Sequence, residues 1–256
     1  MDIATVNLAQ HVAERRGSRL ASLEQGRAAN YPLSRFWLRP LAGRFAGLLA
    51  PSVVRPWHLS LCGLLAAGAA AAVLMTAPVS GAPMAASLVL LAWFFDRADG
   101  QLARRQQTVS RLGAWLDANL DELIDIGLHL AVAAAAASQG SRWAWPCLVA
   151  FLAGKYLLMY GLLLDDACRN SPANDQSVGN GLRAVPERHG GRSLQMIMLK
   201  ALYHLPANAD LRVHLLAVAI AGNWLTAELA IVAAYYNLRW LARYGLMIAR
   251  QGHAAP

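Results

Sequence analysis

The chain has 256 residues, of which 57% are hydrophobic and only 15% are charged, whereas soluble domains carry roughly 25% charged residues. This balance argues against a soluble enzyme, and the positive mean hydropathy of +0.34 excludes a disordered chain, because disorder requires low hydrophobicity and high net charge. Three cysteines, Cys62, Cys147 and Cys168, form neither a disulfide framework nor a zinc-binding pattern in a chain of this length.

The net charge of +8 is compatible with binding either to nucleic acid or to an anionic membrane surface. The placement of the charges decides between them. Only Lys155 and Lys200 are lysines among the 23 basic residues, and the arginines gather in polar stretches between long apolar runs. This pattern is typical of an integral membrane protein, so we expect a lipid bilayer and no nucleic acid as the partner.

Residues 1–50 are predicted to form an N-terminal cytoplasmic arm that precedes a membrane domain over residues 51–256. The first 30 residues contain arginines and glutamates and lack the short apolar core of a cleavable signal peptide. Residues 31–49 then interleave large apolar side chains with Arg35, Arg39 and Arg44. At helical spacing the two kinds separate onto two faces, which predicts an amphipathic helix. Such a helix lies in the lipid headgroup layer or packs on the cytoplasmic side of the protein itself.

Six apolar runs follow the arm. A hydrocarbon core about 30 Å thick requires roughly 20 apolar residues in each spanning helix. The runs are 57–79, 83–95, 112–137, 143–164, one within 194–221 that Pro206 interrupts, and 225–244. They predict an all-α, multi-pass membrane protein with six transmembrane helices around a cytoplasm-facing polar cavity.

The arginines between these runs predict the orientation. They concentrate before the first run, between the second and third, between the fourth and fifth, and after the sixth. The turns at 80–82, 138–142 and 221–223 contain one arginine in total. Because short basic segments stay in the cytoplasm, we expect both termini and the active site on the cytoplasmic side of the cytoplasmic membrane. The basic segment 165–192 is either a mobile lid or a linker.

Four carboxylates stand at the end of the second run and in the first half of the third. Asp96 and Asp99 are three residues apart, and Asp117 and Asp121 are four apart, so each pair shares one helix face. One such acid alone could be a solvated helix end, but ionisable groups at membrane depth are costly and usually mark a site. Four negative charges from adjacent helices would repel one another unless a cation lay between them. Magnesium or manganese is the oxygen-seeking ion expected there.

These acids belong to an eight-position pattern, D-x-x-D-G-x-x-A-R-x8-G-x3-D-x3-D. Its members are Asp96, Asp99, Gly100, Ala103, Arg104, Gly113, Asp117 and Asp121. The pattern resembles the signature of the CDP-alcohol phosphatidyltransferase family and matches it at every position. The six-helix layout and residues 55–60 are similar more weakly, and Trp57 stands where many members have asparagine.

The resemblance implies an enzyme that transfers a phosphoalcohol group from a CDP-linked alcohol donor to an acceptor hydroxyl and releases CMP, in phospholipid or polar-headgroup biosynthesis. It implies two Mg²⁺ or Mn²⁺ ions at Asp96, Asp99 and Asp117. Asp121 is implied to lie near the metal, as the fourth carboxylate of that set, and to take the acceptor's proton. Family members are commonly homodimers, so a homodimer is expected here.

The resemblance also assigns the CDP and pyrophosphate contacts, to Asp99, Gly100, Ala103, Arg104 and Gly113. The small side chains of Gly100 and Ala103 let a nucleotide approach the backbone, and Arg104 can fork onto phosphate oxygens. Gly113 either permits tight packing of the third helix on the second or simply begins its helix.

The substrates are less well defined. Lys155, which lies inside the fourth run, needs a polar partner at that depth. By resemblance to members with a phosphorylated acceptor, Lys155, Arg111 and Arg212 are candidates to bind it. Alternatively, Lys155 pairs with a helix acid such as Asp125. A phospholipid-making transferase is the broad default, while residues 110–117 look more like the branch that joins CDP-inositol with inositol phosphate.

Two hypotheses from other classes remain open at this stage. A membrane prenyltransferase also binds a pyrophosphate through aspartate clusters and magnesium, but its clusters are separated by a much longer stretch than Asp99 and Asp117. A non-catalytic membrane scaffold is disfavoured because no signature residue is missing.

Overall fold

The computed structural model describes residues 33–169 and 209–252. Within these ranges the chain is helical and has no strand, which confirms the all-α expectation for this part of the chain. The helices are α1 (Leu38–Leu49), α2 (Pro56–Thr76), α3 (Ala82–Arg105), α4 (Arg111–Ser138), α5 (Ala144–Arg169), α6 (Ala209–Ala221) and α7 (Leu225–Gly252).

The predicted apolar runs coincide with α2 to α7, although α3, α5 and α7 continue into polar sequence beyond their runs. The fifth run is described only from Ala209 onward, so residues 194–208 with Pro206 lie outside the described residues. So do residues 1–32 of the arm and residues 170–192 of the basic segment, including Arg183, Arg188 and Arg192.

The helix starts follow the local sequence. α2 begins with Pro56, whose fixed φ suits the first helical position. α4 begins after Ser110, whose Oγ accepts a 3.0 Å hydrogen bond from the backbone N–H of Gly113. This N-cap satisfies one of the unpaired amides of the first turn.

Small residues allow the helices to approach closely, as is common in membrane bundles. α2 packs on both α3 and α4, and α5 packs on α7. A Cβ on Gly63 of α2 would lie 3.4 Å from the carbonyl oxygen of Ala92 in α3. A Cβ on Gly154 of α5 would lie 2.9 Å from the backbone nitrogen of Asn237 in α7. The core between the helices is accordingly rich in alanine.

Two of the described helices are long and apolar enough to cross a membrane by length and composition. They are Pro56–Thr76 and Ala144–Leu164, with mean hydropathies of 2.0 and 1.9. α3 and α4 contain the aspartates of the signature, which lower the hydropathy of those helices. The six-span count therefore stays a prediction.

α1 packs on the protein through one face. Leu38, Ala42 and Ala46 are buried, and Ala42 and Ala46 form a cluster with Ala98 and Leu102 of α3. Other large apolar side chains on or just before this helix are exposed, namely Phe36, Trp37, Leu41 and Leu48. The contact with α3 supports packing on the protein's own surface, and placement of the outer face among lipid headgroups stays a prediction.

Asp210 at the start of α6 joins three parts of the chain. Its fully buried carboxylate accepts hydrogen bonds from the backbone N–H of Leu33 at 2.8 Å and of Ser34 at 2.9 Å. It also accepts from the Ser34 hydroxyl and from the indole N–H of Trp93 in α3, the latter at 3.2 Å. This network holds the chain before α1 against α3, one turn from the signature.

Candidate active site

Three of the four signature aspartates converge on one point. Oxygen atoms of Asp96 and Asp99 from α3 and of Asp117 from α4 all lie within 4.8 Å of one another. Asp99 is 6% exposed, Asp96 is half-buried and Asp117 is exposed. The three carboxylates thus form a cluster that is buried on one side and open on the other.

α2 provides the support for this cluster. It contacts both α3 and α4, whereas α3 and α4 make at most marginal contact with each other in the described part of the chain. The hydroxyl of Ser60 in α2 donates a 2.6 Å hydrogen bond to Oδ2 of Asp99. Since Asp99 is the buried member of the cluster, this bond fixes the orientation of its carboxylate.

Arg97 provides the neighbouring positive charge. Its Nε donates to Oδ2 of Asp96 at 2.6 Å, and a terminal nitrogen of the same guanidinium also contacts that oxygen. The guanidinium lies 4.0 Å from the centre of the Trp93 ring, a cation–π contact. Asp96 is therefore held by an arginine that is itself held on an aromatic face.

Asp121 lies one helical turn beyond Asp117 on the same face of α4 and is exposed. It stands outside the group of three carboxylates that share one centre, although it is close enough to Asp96 and Asp117 to interact with them electrostatically. The structure therefore separates a three-carboxylate centre from a fourth carboxylate beside it.

The donor set of this centre suits a hard divalent cation. Two oxygens on one Mg²⁺ ion stand up to about 4.2 Å apart, since each Mg–O bond is about 2.1 Å. The carboxylate oxygens here lie within 4.8 Å of one another, so small side-chain rotations suffice to bring all three carboxylates onto one ion. Three carboxylates beside one arginine also leave excess negative charge, which a divalent ion would neutralise.

The remaining signature residues lie on the same two helices. Arg104 is exposed on α3, and a Cβ on Gly100 would lie 3.5 Å from Nη1 of Arg104. Ala103 is half-buried between them. A Cβ on Gly113 would come within 4 Å only of Ser110 Oγ among the described residues. The surroundings of Gly113 match a helix-start glycine and not a glycine packed against the preceding helix.

A second group of charges lies further along α4. Lys155 of α5, only 4% exposed, contacts Oδ2 of Asp125 and lies 2.8 Å from Oε1 of Glu122. Glu122 also accepts a 2.7 Å hydrogen bond from the hydroxyl of Tyr156. These contacts correspond to the alternative stated for Lys155 above, in which it pairs with helix acids. Binding of an acceptor by Lys155 stays a prediction.

The other two acceptor candidates differ in their surroundings. Arg212 of α6 lies 3.6 Å from Oδ1 of Asp125 and donates to the hydroxyl of Tyr236. Its Nε is buried and makes no hydrogen bond within the described ranges. Arg111 is exposed at the first position of α4.

Sequence reasoning missed two contacts of the carboxylate centre. Ser60 lies about one turn into an otherwise apolar helix. A hydroxyl at such a position indicates a hydrogen bond to a neighbouring helix, and this was the signal that could have identified it. Arg97 directly follows Asp96, and a basic residue inside an aspartate motif is a cue for local charge pairing.

One protein family and two known proteins are similar to this chain in sequence. The sequence profile of the CDP-alcohol phosphatidyltransferase family matches residues 53–248. One relative is the bifunctional IPC transferase and DIPP synthase of Thermococcus kodakarensis, which is 31% identical over 57% of this chain and 32% of its own length. Another is the archaetidylinositol phosphate synthase of Pyrococcus horikoshii, 26% identical over 56% of this chain and 65% of its own length. The chain thus spans about a third of the first relative and just under two thirds of the second.

Proposed function

Because the chain belongs to the CDP-alcohol phosphatidyltransferase family, we propose that it transfers a phosphate-linked alcohol from a CDP-alcohol donor to a hydroxyl of an inositol-phosphate-type acceptor and releases CMP. The observation that carries the proposal is the convergence of Asp96, Asp99 and Asp117 within 4.8 Å. Ionisable groups within membrane helices usually mark a functional site, and carboxylates suit a Mg²⁺ ion that also binds substrate phosphates.

Asp96, Asp99 and Asp117 would hold the metal, with Asp121 beside them. Two Mg²⁺ or Mn²⁺ ions, when bound, supply positive charge that neutralises the pyrophosphate and favours an in-line displacement. The chain's own contribution is to fix the ligands. Ser60 orients Asp99, and Arg97 orients Asp96.

Asp121 is the base in this proposal. The acceptor hydroxyl loses its proton to the Asp121 carboxylate while its oxygen forms a bond to the phosphorus that carries the donor alcohol. The bond from that phosphorus to the bridging pyrophosphate oxygen breaks, and CMP leaves with that oxygen. The exposure of Asp121 gives an acceptor access to it, and its place beside the three-carboxylate centre suits a base that is free to change protonation state.

The CDP moiety would lie along the signature face of α3. Gly100 and Ala103 have small side chains that admit a nucleotide, and the exposed guanidinium of Arg104 can bind phosphate oxygens bidentately. In this proposal Gly113 contributes through the helix start that Ser110 caps.

The acceptor class is supported by the names of the relatives. The Pyrococcus relative is named as an archaetidylinositol phosphate synthase, which favours a phosphorylated polyol over serine or glycerol phosphate. Arg212, Lys155 and Arg111 are the candidates for its phosphate. Arg212 faces one carboxylate, that of Asp125, and its Nε makes no hydrogen bond in the described structure, whereas Lys155 faces two carboxylates. The donor is either a CDP-linked lipid or CDP-inositol.

We also propose that the chain has six membrane spans, with both termini and the carboxylate centre on the cytoplasmic side. We further propose that it forms a homodimer. The alternation of basic and arginine-poor connections supports the orientation. In this proposal residues 1–50 form the arm and residues 51–256 the catalytic membrane domain.

Ligand-dependent thermal stabilisation of the detergent-solubilised full chain tests the proposed donor class. With Mg²⁺ present, we expect CDP-linked compounds to raise the Tm and prenyl pyrophosphates to leave it unchanged. The Asp117→Asn variant serves as the matched control and should lose the Mg²⁺-dependent part of the shift. Stabilisation by prenyl pyrophosphates alone, or by neither class, would contradict the proposal.

A further inference from the structure

A basic cavity lies between α1 and α3, apart from the carboxylate centre. Its volume is about 490 Å³, within the range of about 300 to 1,000 Å³ that is typical of ligand sites. Four arginines line it, namely Arg35, Arg39, Arg44 and Arg105. No acidic side chain lines it in the part of the chain that the structure describes.

The cavity lies on the opposite side of α3 from the aspartates. Gln101 and Arg105 form its α3 wall. At about 100° per residue, they lie about 140° and 180° around the helix from Asp96 and about 160° and 120° from Asp99. An anion in this cavity is therefore not the pyrophosphate that the carboxylate centre would bind.

Two glycines of α1 leave space for the side chains of Gln101 and Arg105. A Cβ on Gly43 would lie 2.8 Å from Oε1 of Gln101, and a Cβ on Gly47 would lie 3.2 Å from Nη1 of Arg105. Gln101 also donates from Nε2 to the carbonyl oxygen of Arg39 at 3.2 Å. The glycines thus let the Arg105 guanidinium lie along α1, where larger side chains would displace it.

The surroundings of the cavity indicate what it faces. Exposed apolar side chains flank it on the same segment of chain, with Phe36 71%, Leu41 52% and Leu48 78% exposed. A helix with arginines on one side and large apolar groups on another is typical of the membrane interface. At that depth the abundant anion is the phosphate of a lipid headgroup.

We propose that the cavity between α1 and α3 binds the phosphate of an anionic phospholipid headgroup, with Arg39 and Arg105 as the principal ligands. The Arg39 side chain comes from α1 and the Arg105 side chain from α3, so a bound phosphate would bridge the two helices. Forked guanidinium groups suit phosphate oxygens. The site would couple the position of α1 to the lipid composition of the membrane.

Native mass spectrometry of the detergent-solubilised full chain, titrated with phosphatidylglycerol or phosphatidylcholine, tests this site. We expect tighter binding of phosphatidylglycerol, and we expect the Arg39→Gln/Arg105→Gln variant to lose about tenfold or more of that affinity, as for loss of charge-assisted hydrogen bonds. Arg142→Gln is the control for loss of an arginine outside the cavity, because Arg142 is exposed in the connection between α4 and α5, and it should bind like the wild type. A second variant, Gly47→Leu, retains every arginine but fills the cavity and should also lose affinity.

Equal binding of the two lipids, or unchanged phosphatidylglycerol affinity in both cavity variants, would overturn the proposal. Displacement of the lipid by millimolar inorganic phosphate would also overturn it, in favour of a soluble phosphate ligand. Helix content by circular dichroism verifies that the variants fold. The measurement uses no donor, acceptor or metal, so its outcome is independent of the proposed transferase activity.

Discussion

Ser60 and Asp99 are 39 residues apart in the chain, yet the Ser60 hydroxyl donates a 2.6 Å hydrogen bond to the Asp99 carboxylate. This bond connects α2 to the buried member of the three-carboxylate centre. A carboxylate that receives such a bond keeps one orientation without metal, which reduces the cost of ordering it when a metal binds. Ser60 is thus a positioning residue in the proposed site.

Replacing Ser60 by alanine should weaken metal binding. The loss of a hydrogen bond to a charged group costs about 1.5–3 kcal/mol, so we expect the Mg²⁺ concentration for half-maximal activity to rise about tenfold. Ser87→Ala is the control, since the Ser87 hydroxyl is exposed and donates a hydrogen bond within α3, to the carbonyl oxygen of Pro83. A Ser60→Ala enzyme with the Mg²⁺ dependence of the wild type would exclude the positioning role.

Asparagine substitutions at the two signature aspartates of α4 should impair different steps, turnover in one case and metal binding in the other. Asp121→Asn should abolish turnover and largely preserve donor binding, because it removes the proposed base and leaves the three-carboxylate centre intact. Asp117→Asn should weaken metal binding, because it removes one ligand from that centre. Metal titration by calorimetry and a turnover assay separate the two effects. Near-normal turnover in Asp121→Asn would show that another group takes the proton.

Lys155 and Asp125 should behave as a coupled pair. Breaking a buried pair from one side costs about 3–5 kcal/mol, so Lys155→Met alone should lower the Tm strongly. The Lys155→Met/Asp125→Asn double variant should lower the Tm by less than the summed decreases of the two single variants. Tyr156→Phe is a milder control, since it removes only the neighbouring hydrogen bond to Glu122. Additive losses would argue against the pairing.

The acceptor role of Lys155 can be separated from this pairing by kinetics. If Lys155 also binds the acceptor phosphate, Lys155→Met should raise KM for inositol phosphate and the double variant should not restore it. A KM that recovers with the second substitution would assign Lys155 to charge neutralisation alone.

Gly154 should tolerate no side chain. An added Cβ would lie 2.7 Å from Nδ2 and 2.9 Å from the backbone nitrogen of Asn237, and the backbone atom cannot move aside without shifting α7. We expect Gly154→Ala to destabilise the fold by about 1–3 kcal/mol, measured by unfolding in detergent. Gly68→Ala is the matched control in α2, where no atom lies within 4 Å of the added Cβ. There alanine should be neutral or stabilising by up to about 1 kcal/mol. Equal stability of the two variants would contradict close packing of α5 on α7.

The helices were predictable from the sequence because long apolar runs between polar turns determine where a membrane helix begins and ends. The convergence of Asp96, Asp99 and Asp117 was predictable because helical spacing places each pair on one face. The contacts of Ser60 with Asp99 and of Ser34 with Asp210 were not predictable, since each joins residues from distant parts of the chain. Whether Gly113 packs against a neighbouring helix also depended on how α3 and α4 lie relative to α2, which spacing along the chain does not determine.

The central claim is a metal-dependent transfer from a CDP-linked alcohol. The direct test is CMP release by the purified protein with Mg²⁺ or Mn²⁺, with CDP-diacylglycerol, CDP-inositol, CDP-choline and CDP-ethanolamine as donors and inositol phosphate among the acceptor alcohols. The account predicts CMP release that requires both the metal and inositol phosphate, is supported by one donor, and is lost in Asp121→Asn. Absence of CMP release from every donor, together with absence of metal-dependent CDP binding, would contradict it.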